Sequence, residues 1–199
     1  MENQQPSKKK TAGRWKLFAI LAVCASPLIG SYVAYYVIKP GGRTNYGDIL
    51  DPRRYPMPAL QSTSLDGKPV GLDAYKGKWI MLQTDGGACD KPCQTKLFEM
   101  RQLRLTQGKE MERVERVWLI TDQAPLDTVL IKEYDGTRML RARPEAVRKW
   151  LPVEIGTAVA DHLYLIDPRG NLMMRFPKDA DPNKIKKDLG KLLRASSIG

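Results

Sequence analysis

The feature that most constrains this chain is a stretch of 22 residues without a charged side chain, from Leu17 to Ile38. At about 1.5 Å per residue, a helix of that length crosses a hydrocarbon core of about 30 Å. Trp15 lies at one end of the stretch and Tyr35 and Tyr36 lie at the other, where aromatic rings favour the membrane interface. The sequence therefore predicts one transmembrane helix over residues 17–38.

Two other interpretations of this stretch are open from the sequence. The preceding basic segment and the small residues Val23-Cys24-Ala25 are also typical of a cleaved signal peptide. Leu21 to Cys24 approaches a lipoprotein motif, although Val23 stands where that motif has Gly, Ala or Ser. The apolar run continues 13 residues past Ala25, so we expect a retained anchor with Cys24 as a small apolar residue.

The distribution of basic residues predicts the orientation of the anchor. Five Lys or Arg residues lie within residues 1–16, whereas Lys39 and Arg43 are the only two in the dozen residues after the helix. The positive-inside rule then places residues 1–16 in the cytoplasm and the remainder across the membrane. No Arg- and Ser-rich transit segment precedes the helix, which favours a bacterial inner membrane and a periplasmic C-terminal domain.

The remainder of the chain has the composition of a folded domain. With 199 residues in total, there is room for about one domain beside the helix. Residues 39–199 carry 28 basic and 21 acidic side chains, but these are interspersed, and no nucleic-acid-binding motif occurs among them. We therefore exclude nucleic acid as a partner and expect a basic surface that faces solvent, anionic lipid or an acidic protein. The sequence does not indicate an oligomeric state.

Gly- and Pro-rich residues 39–58 predict an extended tether, so the folded domain is expected over residues 59–199. Strands are predicted at 79–84, 114–121, 138–142, 163–166 and 172–176, the last two forming a hairpin. Helices are predicted to begin at Pro92 and to cover 126–134, 144–151 and 181–194. This order predicts an α/β fold, with a mixed sheet covered by helices on both faces.

Two cysteines carry the strongest chemical signal in the predicted domain. Cys89 and Cys93 lie four residues apart, after a predicted strand and at the start of a predicted helix. The positive end of a helix dipole stabilises a thiolate, which makes a cysteine there a better nucleophile or metal ligand. Side chains at i and i+4 share a helix face, so the pair could form a disulfide or hold one soft ion such as Cu(I).

These features together resemble the Sco/SenC family of membrane-anchored, thioredoxin-like proteins that assemble copper centres of cytochrome c oxidase. The resemblance covers about residues 56–195 and rests on the order of an anchor, a tether and several short motifs. The motifs are Asp66-Gly67-Lys68-Pro69-Val70, Tyr75-Lys76-Gly77-Lys78, the Cys89 and Cys93 pair, Asp161-His162 and Tyr164-Leu165-Ile166-Asp167-Pro168-Arg169-Gly170. The resemblance implies a thioredoxin-like fold with copper, as Cu(I) or Cu(II), bound by Cys89, Cys93 and His162.

The motif residues differ from the family pattern at three positions. Asp90 and Gln94 stand where the family has proline after each cysteine. His162, the single histidine of the chain, lies about three residues closer to the hairpin than the family's histidine. One of the adjacent Met173 and Met174 must face the core, so we expect hydrophobic packing here and not soft metal ligands. Asp122 resembles a family aspartate but receives no chemical role.

Three functions remain open at this stage. The first is a metallochaperone that holds Cu(I) and delivers it to an oxidase subunit or assembly intermediate. The second is a thiol-disulfide oxidoreductase in which Cys89 attacks and Cys93 resolves, so that a partner's cysteines are reduced before they receive metal. The third is a divergent domain that docks onto an assembly intermediate without binding metal.

Overall fold

The uncharged stretch of the sequence forms a helix. The computed structural model describes residues 12–38 and 45–198, and the chain divides into two units, Met1–Thr44 and Asn45–Gly199. In the first unit, helix α1 covers Ala12–Val33 and continues as a π-helical segment over Ala34–Ile38. The segment Arg14–Val37 contains an 18-residue window with a mean hydropathy of 2.0, so this helix is long and apolar enough to cross a membrane. The predicted helix is confirmed, whereas most of the basic segment before it lies outside the described residues.

Seven strands form one mixed sheet in the second unit. Its strands are β1 (Asp48–Ile49), β2 (Thr63–Ser64), β3 (Trp79–Asp85), β4 (Val114–Ile120), β5 (Arg138–Arg141), β6 (Tyr164–Ile166) and β7 (Leu172–Arg175). The spatial order is β1-β7-β6-β3-β4-β5-β2. Strands β3, β4 and β5 are parallel, and β6 pairs antiparallel with β3 on one side and with β7 on the other. The predicted hairpin and the predicted mixed sheet are thus confirmed.

Helices cover both faces of the sheet. They are α2 (Lys91–Leu105), α3 (Thr128–Glu133), α4 (Pro144–Trp150) and α5 (Pro182–Ala195). Strands β3 and β4 are almost completely buried, as expected for parallel strands covered on both sides. Apolar side chains of α2 and α5 pack together on one face, and those of α4 pack on the opposite face. Helix α2 also packs against α3 around the two cysteines, so the cysteine pair lies within the core.

The predicted tether over residues 39–58 is too long. Residues 39–44 lie outside the described part of the chain, but the domain already begins at Asn45. The backbone N–H groups of Tyr46 and Gly47 donate to Asp188 Oδ2 at 2.6 and 3.0 Å, and β1 pairs with β7. A two-residue strand and one buried carboxylate have no hydrophobic periodicity, so the sequence pattern did not reveal them.

Candidate functional site

Cys89 and Cys93 form a disulfide where the loop after β3 enters α2. Their Cα atoms lie 5.1 Å apart, and both residues are buried, with 2% and 0% of their surface exposed. The structure thus brings the two cysteines together as the i and i+4 spacing predicted. The disulfide therefore lies almost entirely beneath the protein surface.

Backbone and side-chain contacts fix the conformation of Cys89. Its φ angle is +38°, a left-handed conformation that residues other than glycine rarely adopt. The Cys89 N–H donates to the Gly86 carbonyl at 3.2 Å, and Gln94 Nε2 donates to the Cys89 carbonyl at 2.9 Å. Gln94, which replaces the family's proline, therefore holds the loop in place from the first turn of α2.

Asp90, the other departure from the family pattern, caps helix α2. Its carboxylate accepts a hydrogen bond from the Cys93 N–H at 3.1 Å, and Pro92 follows in the first turn. Aspartate is a favoured residue at this position because it satisfies a backbone N–H that the helix leaves unpaired. The carboxylate also places a negative charge near Cys93, which opposes the stabilisation of a thiolate by the helix dipole.

Gln83 is a site residue that sequence reasoning missed. It lies on β3, is completely buried, and its Nε2 lies 3.3 Å from both the Cys93 sulfur and the Cys93 carbonyl oxygen. The signal was present in the sequence, because the polar Gln83 directly follows the apolar run Trp79-Ile80-Met81-Leu82 in the same strand. A buried amide in such a strand needs a partner, and here its Nε2 contacts Cys93.

Asp122 anchors the loop that leads from β3 to Cys89. Its Oδ1 accepts hydrogen bonds from the Gly87 N–H at 2.8 Å and the Ala124 N–H at 3.1 Å. A Cβ atom at Gly86 would lie 2.5 Å from Asp122 Oδ2, so a larger residue there would displace the Asp122 carboxylate. No chemical role for Asp122 follows from the sequence, and the structure shows that its carboxylate positions this loop.

His162 is completely buried, and both of its ring nitrogens have hydrogen-bond partners. Its Nδ1 donates to the Phe176 carbonyl oxygen at 2.8 Å, and its Nε2 lies 2.7 Å from Thr157 Oγ1. Within residues 12–38 and 45–198, no three His, Cys, Asp or Glu side chains are grouped so that they could hold a metal ion. The structure therefore does not assemble Cys89, Cys93 and His162 into one ligand set.

A groove of about 550 Å³ borders the disulfide loop. Lys91 and Pro92, which lie between the two cysteines at the start of α2, line the groove, and Leu163 and Ile185 contribute apolar surface. Burial raises the pKa of the Glu99 carboxyl on the α2 side of this groove. The groove thus combines apolar and charged side chains and reaches the residues between the two cysteines, although neither cysteine lines it.

Comparison with known protein families agrees with the observed fold. A family model described as the transmembrane-like, thioredoxin-like, C-terminal domain matches residues 79–196, more than half of the chain. The chain belongs to this family. Its matched segment includes Cys89, Cys93 and His162, together with five of the seven strands. No curated protein sequence matches the chain.

Solved structures with the same fold include both Sco proteins and a thiol-disulfide oxidoreductase. A SCO1/SenC family lipoprotein from Bacillus anthracis is 20% identical, with 70% of this chain and 95% of that chain covered and a TM-score of 0.53. Copper-bound ScoI from Arabidopsis thaliana is 20% identical, with coverage of 70% and 100% and a TM-score of 0.51. The thioredoxin domain of a Bacteroides vulgatus thiol-disulfide oxidoreductase is 18% identical, with coverage of 70% and 96% and a TM-score of 0.51. These likenesses confirm the thioredoxin-like fold.

Proposed function

We propose that this thioredoxin-like protein is a membrane-anchored assembly factor that exchanges electrons between its Cys89–Cys93 pair and the cysteines of a copper centre. The observation that carries the proposal is the disulfide between these residues at the start of α2. A disulfide across only four residues of sequence closes a small loop, so it constrains little of the unfolded chain. A redox role therefore explains the pair better than a purely structural one.

The two thiols of the reduced Cys89–Cys93 pair supply all the electrons and protons that the exchange reaction needs. The Cys89 thiolate attacks a partner disulfide, forms a mixed disulfide and releases one partner sulfur as a thiolate. Cys93 then attacks the Cys89 sulfur, which releases the second partner thiolate and forms the intramolecular disulfide. Two electrons and two protons pass to the partner, which is left as a dithiol that can bind metal. A cellular dithiol must then reduce the Cys89–Cys93 pair again.

The proposed partner is a cytochrome c oxidase subunit or an assembly intermediate of that enzyme. The resemblance of the chain to Sco/SenC proteins supports this choice. We further propose that α1 anchors the protein in a bacterial inner membrane, with residues 1–16 in the cytoplasm and the domain in the periplasm. The basic residues before α1 support that orientation.

Binding and delivery of Cu(I) by the reduced pair is the second candidate function. Two thiolates suit this soft ion, and the 5.1 Å separation of the Cα atoms leaves the two side chains close together. His162 would serve as a third ligand only after its hydrogen bonds to Thr157 and Phe176 break. In this mode the copper ion is cargo that passes to the oxidase by ligand exchange.

One set of variants tests both candidates. The full chain in detergent micelles is equilibrated with glutathione redox buffers, and its free thiols are then counted by mass-tag alkylation. Reduced protein is titrated separately with Cu(I) against a competing chelator, without oxygen. Cys24→Ser is the matched control because Cys24 lies in α1 and is the free cysteine of the described chain.

The outcomes separate the two candidates. The proposal predicts a reversible two-electron transition that is lost in Cys89→Ser and Cys93→Ser and retained in Cys24→Ser. A tight Cu(I) equivalent with the same dependence on the variants would add copper delivery to the exchange activity. A pair that stays oxidised across all glutathione buffers, or stays reduced across them, would contradict the exchange reaction.

A further inference from the structure

The side-chain amide of Gln83 is only partly satisfied beside the disulfide. Its Nε2 donates toward the Cys93 carbonyl oxygen and the Cys93 sulfur, both at 3.3 Å. Its Oε1 is buried and has no hydrogen-bond partner among the described residues. A buried acceptor without a donor costs free energy, since the same oxygen would be hydrated in the unfolded chain.

Reduction of the disulfide changes what Cys93 offers to this amide. A disulfide sulfur has no proton to donate, whereas a thiol has an S–H group and a thiolate is a much stronger acceptor of N–H bonds. A Cys93 thiol therefore brings a new donor close to the Gln83 amide, and a Cys93 thiolate strengthens the contact with Nε2. Both changes favour the reduced pair over the disulfide.

The surroundings of Cys93 make this contribution important. Cys93 is completely buried, and burial disfavours a charged thiolate. Asp90 accepts from the Cys93 N–H, so its carboxylate disfavours negative charge on the sulfur as well. Gln83 gives the only hydrogen bond to a cysteine sulfur within residues 12–38 and 45–198. This bond favours negative charge on the Cys93 sulfur, whereas burial and Asp90 disfavour it.

We propose that Gln83 is a positioning residue that shifts the Cys89–Cys93 pair toward its reduced state. The inference rests on the proposed exchange reaction, in which a cellular dithiol supplies two electrons and two protons to the pair and the Cys89–Cys93 S–S bond breaks. One of those protons resides on the Cys93 sulfur, next to Gln83. The same amide favours departure of Cys93 as a thiolate when the mixed disulfide re-forms.

Gln83→Leu tests the inference because leucine retains an apolar side chain of similar length and removes both polar atoms. We expect the equilibrium with glutathione to shift toward the disulfide by about tenfold, which corresponds to a reduction potential about 30 mV lower. Gln83→Met serves as a second variant of similar volume if the leucine variant folds poorly. Met81→Leu is the matched control, since Met81 lies two residues earlier on the same face of β3 and packs in a different cluster.

A second readout does not depend on redox cycling. In a Cys89→Ser background, Cys93 is a free thiol, and the pH dependence of its alkylation gives its pKa. Gln83→Leu is expected to raise that pKa by about one unit, a tenfold effect, and Met81→Leu to leave it unchanged. A wild-type pair that fails to cycle contradicts the proposed function only. Unchanged potentials and an unchanged Cys93 pKa in both Gln83 variants would overturn the role of Gln83.

Discussion

His162 Nδ1 lies 2.8 Å from the backbone carbonyl oxygen of Phe176, across the hairpin formed by β6 and β7. The carbonyl can only accept, so Nδ1 carries a proton and the ring orientation is fixed. Thr157 Oγ1 occupies the other nitrogen at 2.7 Å. The single histidine of the chain is therefore part of the packing around the hairpin in this state.

Thr157→Val tests whether His162 also serves as a copper ligand. Valine keeps the shape of threonine and removes the hydroxyl group that contacts His162 Nε2. If His162 ligates copper, loss of this restraint should tighten Cu(I) binding several-fold in a competition titration, and His162→Ala should abolish the gain. If Thr157→Val and His162→Ala both bind Cu(I) like the wild type, the third-ligand hypothesis is wrong.

Asp90→Ala should destabilise the domain and alter its cysteine pair. Loss of the helix cap is expected to lower the free energy of unfolding by about 1 kcal/mol. Removal of the carboxylate should also lower the pKa of the Cys93 thiol, because the Cys93 N–H is freed and a nearby negative charge is lost. Urea denaturation measures the first effect, and alkylation of Cys93 in a Cys89→Ser background measures the second.

Asp181→Ala is the matched control for Asp90→Ala. Asp181 caps α5 by accepting from the Asn183 N–H at 2.9 Å, and α5 carries neither cysteine. We expect a similar loss of stability without any change in the Cys93 pKa. Equal effects of both variants on Cys93 would show that general destabilisation, and not the local charge, alters the thiol.

Gly87→Ala and Gly190→Ala should change stability in opposite directions. A Cβ at Gly87 would lie 2.7 Å from the Ala124 carbonyl oxygen, so the loop anchored by Asp122 must shift, at a cost of about 1–3 kcal/mol. At Gly190, in α5, the nearest atom would lie 3.4 Å away, and alanine should add about 0.5–1 kcal/mol. Thermal and urea unfolding of the two variants check both signs, and a neutral Gly87→Ala would contradict the close approach of this loop.

Glu99→Gln should stabilise the domain at neutral pH. Burial raises the pKa of Glu99, with Lys96 opposing the shift and Asp179 adding to it. A raised carboxyl pKa means that the folded state holds the Glu99 proton more tightly than the unfolded state does. The contribution of protonated Glu99 to folding stability is therefore complete below about pH 4.3 and is lost as pH rises. The gain from Glu99→Gln should therefore be present in urea denaturation at pH 7 and absent near pH 4.

Glu110→Gln should destabilise the domain at neutral pH, opposite to Glu99→Gln. A hydrogen bond from Arg113 lowers the pKa of Glu110, which favours the ionised form in the folded state. Its contribution is complete above the ordinary glutamate pKa and is lost as pH falls, so the substitution should cost stability at pH 7. A gain of stability in Glu110→Gln at pH 7 would contradict the stabilising hydrogen bond from Arg113.

The sequence predicted the central strands and helices because their signals are local and repeated. Apolar runs marked Trp79–Asp85 and Val114–Ile120, and Asp181-Pro182 marked the start of α5. Helix α3 is shorter than the predicted 126–134, because the Asp127 side chain caps it by accepting from the Val129 N–H at 2.8 Å. Such a cap is a single contact, which apolar periodicity does not reveal.

The parts of the site that the sequence did not predict depend on contacts between distant residues. Asp122 lies 35 residues after Gly87 in the chain, and Phe176 lies 14 residues after His162. The spacing of Cys89 and Cys93 indicated that the two sulfurs lie close enough for a disulfide or for one metal ion, because that contact is local. The surroundings of the pair, Gln83 above all, became visible only when β3 and α2 were packed against each other.

The copper content of cytochrome c oxidase, in cells that lack this gene and are complemented with variants, tests the central claim most directly. We predict that wild type and Cys24→Ser restore the copper content of the purified oxidase. Cys89→Ser and Cys93→Ser should leave the oxidase deficient in copper, although each variant reaches the membrane in normal amount. A fully metallated, active oxidase in cells carrying Cys89→Ser together with Cys93→Ser would contradict the role of the pair and favour a docking domain without redox or metal chemistry.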